Sequence, residues 1–156
     1  VDGLSFDSAY GQLKYEIGRL YEVYAYLLDC GHISDNERQI YERIRKQEAG
    51  EVEVTRSLQL LLQLMNKYYG KQAILLLDEY DVPLAKASSH GYYEQMLEVI
   101  KAMMTTALKD NSALCFAIVT GCLRISKESI FTGTNNFVLD TITDARLDEY
   151  FGFTQS

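Results

Sequence analysis

Apolar residues recur at helical spacing through the first seventy residues, and then the pattern changes. Leu13, Ile17, Leu20, Tyr21, Tyr24, Leu27 and Leu28 fall three or four apart and predict one long amphipathic helix. Ser5 or Asp7 is placed to cap its start, and Gly31 sits where a C-terminal glycine belongs. The stretch SDNE, Ser34 to Glu37, has capping-box form and predicts a shorter, charge-rich helix to about Glu48. Val54, Leu58, Leu61, Leu62, Met65, Tyr68 and Tyr69 make a third stripe, closed by Gly70. Stripes of this kind ordinarily face a core rather than a ligand.

From Gln72 the period is lost. QAILLL is a short unbroken apolar run, which predicts a strand covered on both faces, as in a parallel sheet. A fourth helix is expected from about Tyr92 to Lys109, and a second buried strand over ALCFAIV, Ala113 to Val119. Strand, helix and strand in that order read as a βαβ unit with two parallel strands. Beyond it, RISKESIFTGTNN reads as a loop with one helical turn at Lys127 to Phe131. FVLDTI, Phe137 to Ile142, reads as a third strand, and DARLDEYFGF as a terminal helix. The fold class expected is therefore α/β with a long helical N-terminal half. Residues 1–156 form a single domain, helical over 1–70, with the sheet and its crossover over 71–156.

Composition narrows the function classes. At 156 residues with 47% hydrophobic and 24% charged positions, the chain suits one globular domain. A formal charge of -7 gives no electrostatic footprint for nucleic acid, and no Lys/Arg run suggests a membrane surface. Cys30, Cys115 and Cys122 lack paired metal spacing and read as reduced thiols. His32 and His90 are too far apart for a histidine-built metal site. No stretch has the length of a membrane span, and no signal-peptide pattern occurs, so a cytoplasmic location is expected. The chain starts at Val1 rather than Met and enters helical pattern almost at once, as a piece of a longer protein would.

The first apolar run ends in Asp78, Glu79 and, one residue on, Asp81. In a parallel sheet, ligands collect at the carboxyl ends of the strands. The second strand ends in Thr120 and Gly121, with Arg124, Ser126 and Lys127 close behind. If the strands are neighbours, acids suited to a metal face hydroxyls and cations suited to an anion. Mg²⁺-dependent phosphate chemistry needs that combination. Adjacent strand-end residues point to opposite sides, so Asp78 and Glu79 take different jobs. One holds the metal, and the other orients and deprotonates a water. Asp81, two residues before Pro83, is expected to fix the turn. Asn135 and Asn136 read as a turn before the last strand, and Cys122 lacks a histidine to activate it.

Four blocks together carry a family resemblance: KQAILLLDEYDVPL, GYYEQMLEVIKAMMTTALKDN, FAIVTGCLRISKESIFTGTNNF and DARLDEYFGFT. In order and spacing they resemble the AAA-ATPase-like family of bacterial proteins, P-loop ATPase domains typically followed by a PD-(D/E)XK-type nuclease domain. The resemblance implies a P-loop-type parallel sheet with ILLLDE as its Walker B strand, ATP and Mg²⁺ as cofactors, Asp78 supporting the metal and Glu79 polarising the water. It places Thr120 where such ATPases carry a polar sensor for the γ-phosphate. Arg124 or Lys127 would add a charge toward the nucleotide.

No G-x-x-x-x-G-K-[ST] loop occurs in the chain, and that loop supplies most of the phosphate grip. The resemblance places it upstream, so the chain is expected to be the middle of an ATPase domain, inactive alone. Any contact with nucleic acid would then come through the nuclease-like domain. Strand edges left unpaired would favour self-association. Two rival readings stand beside this one. The first is a non-catalytic interaction module binding a partner through its helical, tyrosine-rich half. The second is a metal-dependent phosphoesterase or nuclease using Asp78, Glu79 and Asp81 directly.

Overall fold

A computed structural model describes residues 5–121. Helix α1 (Phe6–Val23) starts at Ser5, whose side chain accepts a hydrogen bond from the Ser8 amide, as an N-cap serine does. The helix does not run on to Gly31. It closes at Tyr24, and a 3₁₀ turn follows over Ala25–Asp29. The apolar spacing survives this change because the tighter turn still buries Leu27 and Leu28. Helix α2 (Asp35–Arg45) opens with the expected capping box, Ser34 and Glu37 satisfying each other's backbone.

The third stripe is divided between helix α3 (Glu51–Thr55) and helix α4 (Ser57–Tyr69). Ser57 explains the interruption. Its buried hydroxyl donates to the Val54 carbonyl at 2.7 Å, a local bond that competes with regular helix. Gly70 then ends α4 at φ 65, a left-handed geometry that a Cβ would strain.

Strand β1 (Ala73–Leu77) and strand β2 (Leu114–Val119) pair in parallel. The register steps once between Ala73 and Ile74 and then holds to Leu77 opposite Val119. The crossover contains two helices, α5 (Val82–His90) and α6 (Tyr93–Leu108). Helix α5 is additional to the expected pattern. Its signals are Pro83 in the first turn and Gly91 at the end.

Two core clusters result, with α6 as their shared wall. Its Val99 and Met103 join Tyr21, Leu27, Tyr41, Ile44 and Leu64 among the N-terminal helices. Its Met96, Ile100 and Met104 join Leu84 and Ala87 of α5, with Leu77 and Val119 packed on from the sheet. The opposite sheet face corrects the expectation of strands covered on both sides. Ile74, Leu76, Phe116 and Ile118 are 53%, 68%, 48% and 52% exposed. The apolar run is continuous in sequence, but among the described residues helices cover only one of the two faces it serves. The third strand, the terminal helix and the helical turn at 127–131 lie outside the described residues.

Candidate functional site

Parallel pairing, with Leu77 opposite Val119, brings the carboxyl ends of β1 and β2 side by side. Side chains alternate along a strand, so Asp78 continues the side of Ile74 and Leu76, and Thr120 that of Phe116 and Ile118. The two polar residues therefore extend the exposed face, and they meet: the Thr120 hydroxyl donates to Asp78 Oδ1. The Thr120 amide donates to the Leu77 carbonyl at 2.8 Å, and the Tyr80 amide to the Thr120 carbonyl at 3.2 Å. The Glu79 amide reaches Thr120 Oγ1 at 3.4 Å.

Glu79 is a turning point. Its φ is 53, a left-handed conformation it shares with Gln47 and Asp110. Outside glycine this conformation costs on the order of 1 kcal/mol. Glu79 thus meets Thr120 through its amide, while the Asp78 carboxylate takes the hydroxyl. Both acids and Thr120 are exposed, whereas Asp81 is 4% exposed. Asp81 sits at the N-cap position of α5, and its carbonyl accepts the Ala85 amide at 2.9 Å. Its side chain makes no capping hydrogen bond to the helix.

The close approach of Tyr80 and Gly121 had no signal in the chain beyond a glycine after Thr120. A Cβ built on Gly121 would stand 2.6 Å from Tyr80 Cε1 and 2.9 Å from Asp81 Oδ1. Arg124 and Lys127, the expected cations, lie outside the described residues.

The donor set suits Mg²⁺ better than a metal caged wholly by protein. Mg²⁺ binds through one or two carboxylates plus substrate phosphates and keeps several waters, and Asp78 would supply one carboxylate of such a set, with the Thr120 hydroxyl beside it. Among the described residues, no three His, Cys, Asp or Glu side chains converge to hold a metal ion. Asp78, Glu79 and Asp81 do not form such a cluster among the described residues. No helix among the described residues is long and apolar enough to cross a membrane.

The family model described as "Predicted AAA-ATPase" matches residues 21–131. The chain belongs to this family. The match runs from α1 through the whole crossover and past β2, so the Asp78–Thr120 contact lies inside the AAA-ATPase-like segment. A protein of Azotobacter chroococcum mcd 1, described as "Uncharacterized protein in vnfD 5'region", is 30% identical over 89 residues. Those residues are 56% of this chain and 17% of that protein, so the chain spans less than one fifth of the relative's length. No solved structure matches the AAA-ATPase-like chain.

Proposed function

We propose that this AAA-ATPase-like chain carries the metal-and-water end of an ATP-hydrolysing site, and that a phosphate-binding loop outside this chain completes it. The observation that carries the reading is the meeting of Asp78 and Thr120 across two parallel strand ends, with Glu79 beside them in a left-handed backbone conformation. Asp78 would hold Mg²⁺, which when bound neutralises phosphate charge. Glu79 accepts a proton from the attacking water and fixes its direction. Thr120 has both a hydroxyl donor and lone pairs, and its hydroxyl is placed to exchange Asp78 for a phosphate oxygen. Its backbone, bonded to Leu77 and Tyr80, stays fixed while the hydroxyl rotates.

The test uses a chain extended upstream of Val1 to include a phosphate-binding loop. Glu79→Gln keeps nucleotide binding and lowers single-turnover phosphate release about 10²-fold or more, the usual contribution of a general base. Release at the wild-type rate in that variant would remove Glu79 from the chemistry.

A second reading, a protein-interaction module, has one specific observation in its favour. Tyr26, Tyr68 and Tyr69 form an exposed ring cluster, in which the Tyr26 and Tyr69 hydroxyls lie 2.7 Å apart. That hydrogen bond holds the Tyr26 phenol up to about 12. Loss of ATP turnover in Glu79→Gln, with Tyr69→Ala unaffected, separates the two readings.

A further inference from the structure

The turn that carries Glu79 has its own hydrogen bond, from the Val82 amide to the Glu79 carbonyl at 3.1 Å, and side-chain packing adds to it. Tyr80 and Asp81 follow the left-handed residue directly, and both press on Gly121 at the end of β2. A methyl group there would stand 2.6 Å and 2.9 Å from two carbons of the Tyr80 ring and 2.9 Å from Asp81 Oδ1. Such distances leave no room for a side chain, and each neighbour is constrained. The Tyr80 ring is packed against the buried cluster of Leu84, Ala87, Tyr92 and Met96, and Asp81 is 4% exposed at the start of α5. A methyl group at Gly121 therefore presses on two side chains that start from this turn.

We infer that Gly121 is a positioning residue for the candidate site. By having no side chain it lets Tyr80 close over the end of β2, and the closed ring holds Glu79 in the left-handed conformation, with its amide on the Thr120 hydroxyl. The inference rests on the reading of Asp78 and Glu79 as acids with separate roles. Its geometric half stands without it. Gly121, Tyr80 and Thr120 act together: the Tyr80 amide is bonded to the Thr120 carbonyl and the Glu79 amide to the Thr120 hydroxyl. A displaced ring therefore releases both acids from one set geometry.

Two arms test this. In the 156-residue chain, amide NMR reads the Glu79 conformation through the strong intraresidue Hα–amide contact of a positive φ. Gly121→Ala and Tyr80→Ala each abolish that signature, and the double variant shifts Glu79 no further than either single change, as two residues of one latch do. An unchanged Glu79 signature in either single variant, or additive shifts in the double, overturns the inference. Tyr80→Ala keeps the arm decisive if Gly121→Ala fails to fold, because it opens space rather than filling it. In a chain extended to bind ATP, Gly121→Ala lowers kcat about tenfold and leaves KM within about twofold. A parallel loss of both, or of neither, contradicts a positioning role. If the extended wild-type chain does not hydrolyse ATP, the ATPase reading fails, and the NMR arm still decides whether Gly121 sets the Glu79 turn.

Discussion

The helical half and the sheet half of this molecule are finished to different degrees. Among the N-terminal helices, buried tyrosines are both packed and hydrogen-bonded. The Tyr21 hydroxyl donates to the Ser57 carbonyl at 2.6 Å, the Tyr41 hydroxyl donates to the Tyr21 carbonyl at 2.6 Å, and the two rings lie 4.4 Å apart. Burial pushes both phenols above their ordinary range, so they stay neutral donors. At the surface, Arg43 grips Glu53 with both nitrogens, and Lys67 ties α4 to Glu37 of α2. In the sheet half, two strands are paired with each other, one face is covered by α5 and α6, and the other presents four large apolar residues. Among the described residues, the candidate chemistry sits at the rim of the sheet's exposed face.

The largest contrast is expected from leucines of the same type in the two halves. Leu64 is fully buried and Leu76 is 68% exposed. Leu64→Ala should cost about 2–5 kcal/mol in urea unfolding, whereas Leu76→Ala should stay within about 0.5 kcal/mol. Equal losses would mean that the sheet face is covered in solution. Gel filtration of Leu76→Lys sharpens the point. A shift toward monomer relative to wild type is expected if the apolar face and unpaired strand edges drive self-association.

Hydroxyl deletions come next. Tyr21→Phe leaves the buried Ser57 carbonyl without its donor and should cost about 1–3 kcal/mol. Tyr10→Phe should go the other way by a few tenths of a kcal/mol, since the Tyr10 hydroxyl is shielded and has no hydrogen-bond partner among the described residues. A loss in Tyr10→Phe as large as in Tyr21→Phe would erase that distinction.

The smallest effect is a pH dependence. Hydrogen bonds from Arg43 hold the Glu53 carboxyl below its ordinary value. At Glu37 burial opposes ionisation, and the bonds from Lys67 and Ser34 outweigh it. For carboxyls lowered by folding, the stabilisation is fully present above the unfolded value. It is lost as pH falls through the lower folded value. Wild type should therefore lose stability below about pH 4, by under about 1 kcal/mol per partly exposed pair. Thermal melts of the double variant Glu37→Gln, Glu53→Gln should be flatter over that range.

What could be read from the chain follows from how local each determinant is. The Ser34–Glu37 capping box and the Gly70 stop act within one turn, and both formed where the residues stand. The parallel strands and the meeting of Asp78 with Thr120 were also legible, because a βαβ unit can close in one sense only. The break at Arg56 depends on a serine bonding back to Val54, and the 3₁₀ turn after Val23 keeps the same apolar spacing as a helix. Neither leaves a mark on periodicity. The uncovered sheet face was hidden because AILLL reads the same whether helices lie on one side or both. The Tyr80–Gly121 contact joins residues far apart in sequence, so only the folded chain displays it.

The central claim is that Asp78 and Glu79 are the acids of a nucleotide site. It is tested most directly by titrating a fluorescent ATP analogue, with and without Mg²⁺, into this chain and into one extended upstream of Val1. The account predicts binding by the extended chain alone, with the Mg²⁺ dependence lost in Asp78→Asn and binding retained in Glu79→Gln. No binding by either chain, or the same Mg²⁺ dependence in Asp78→Asn as in wild type, would contradict it.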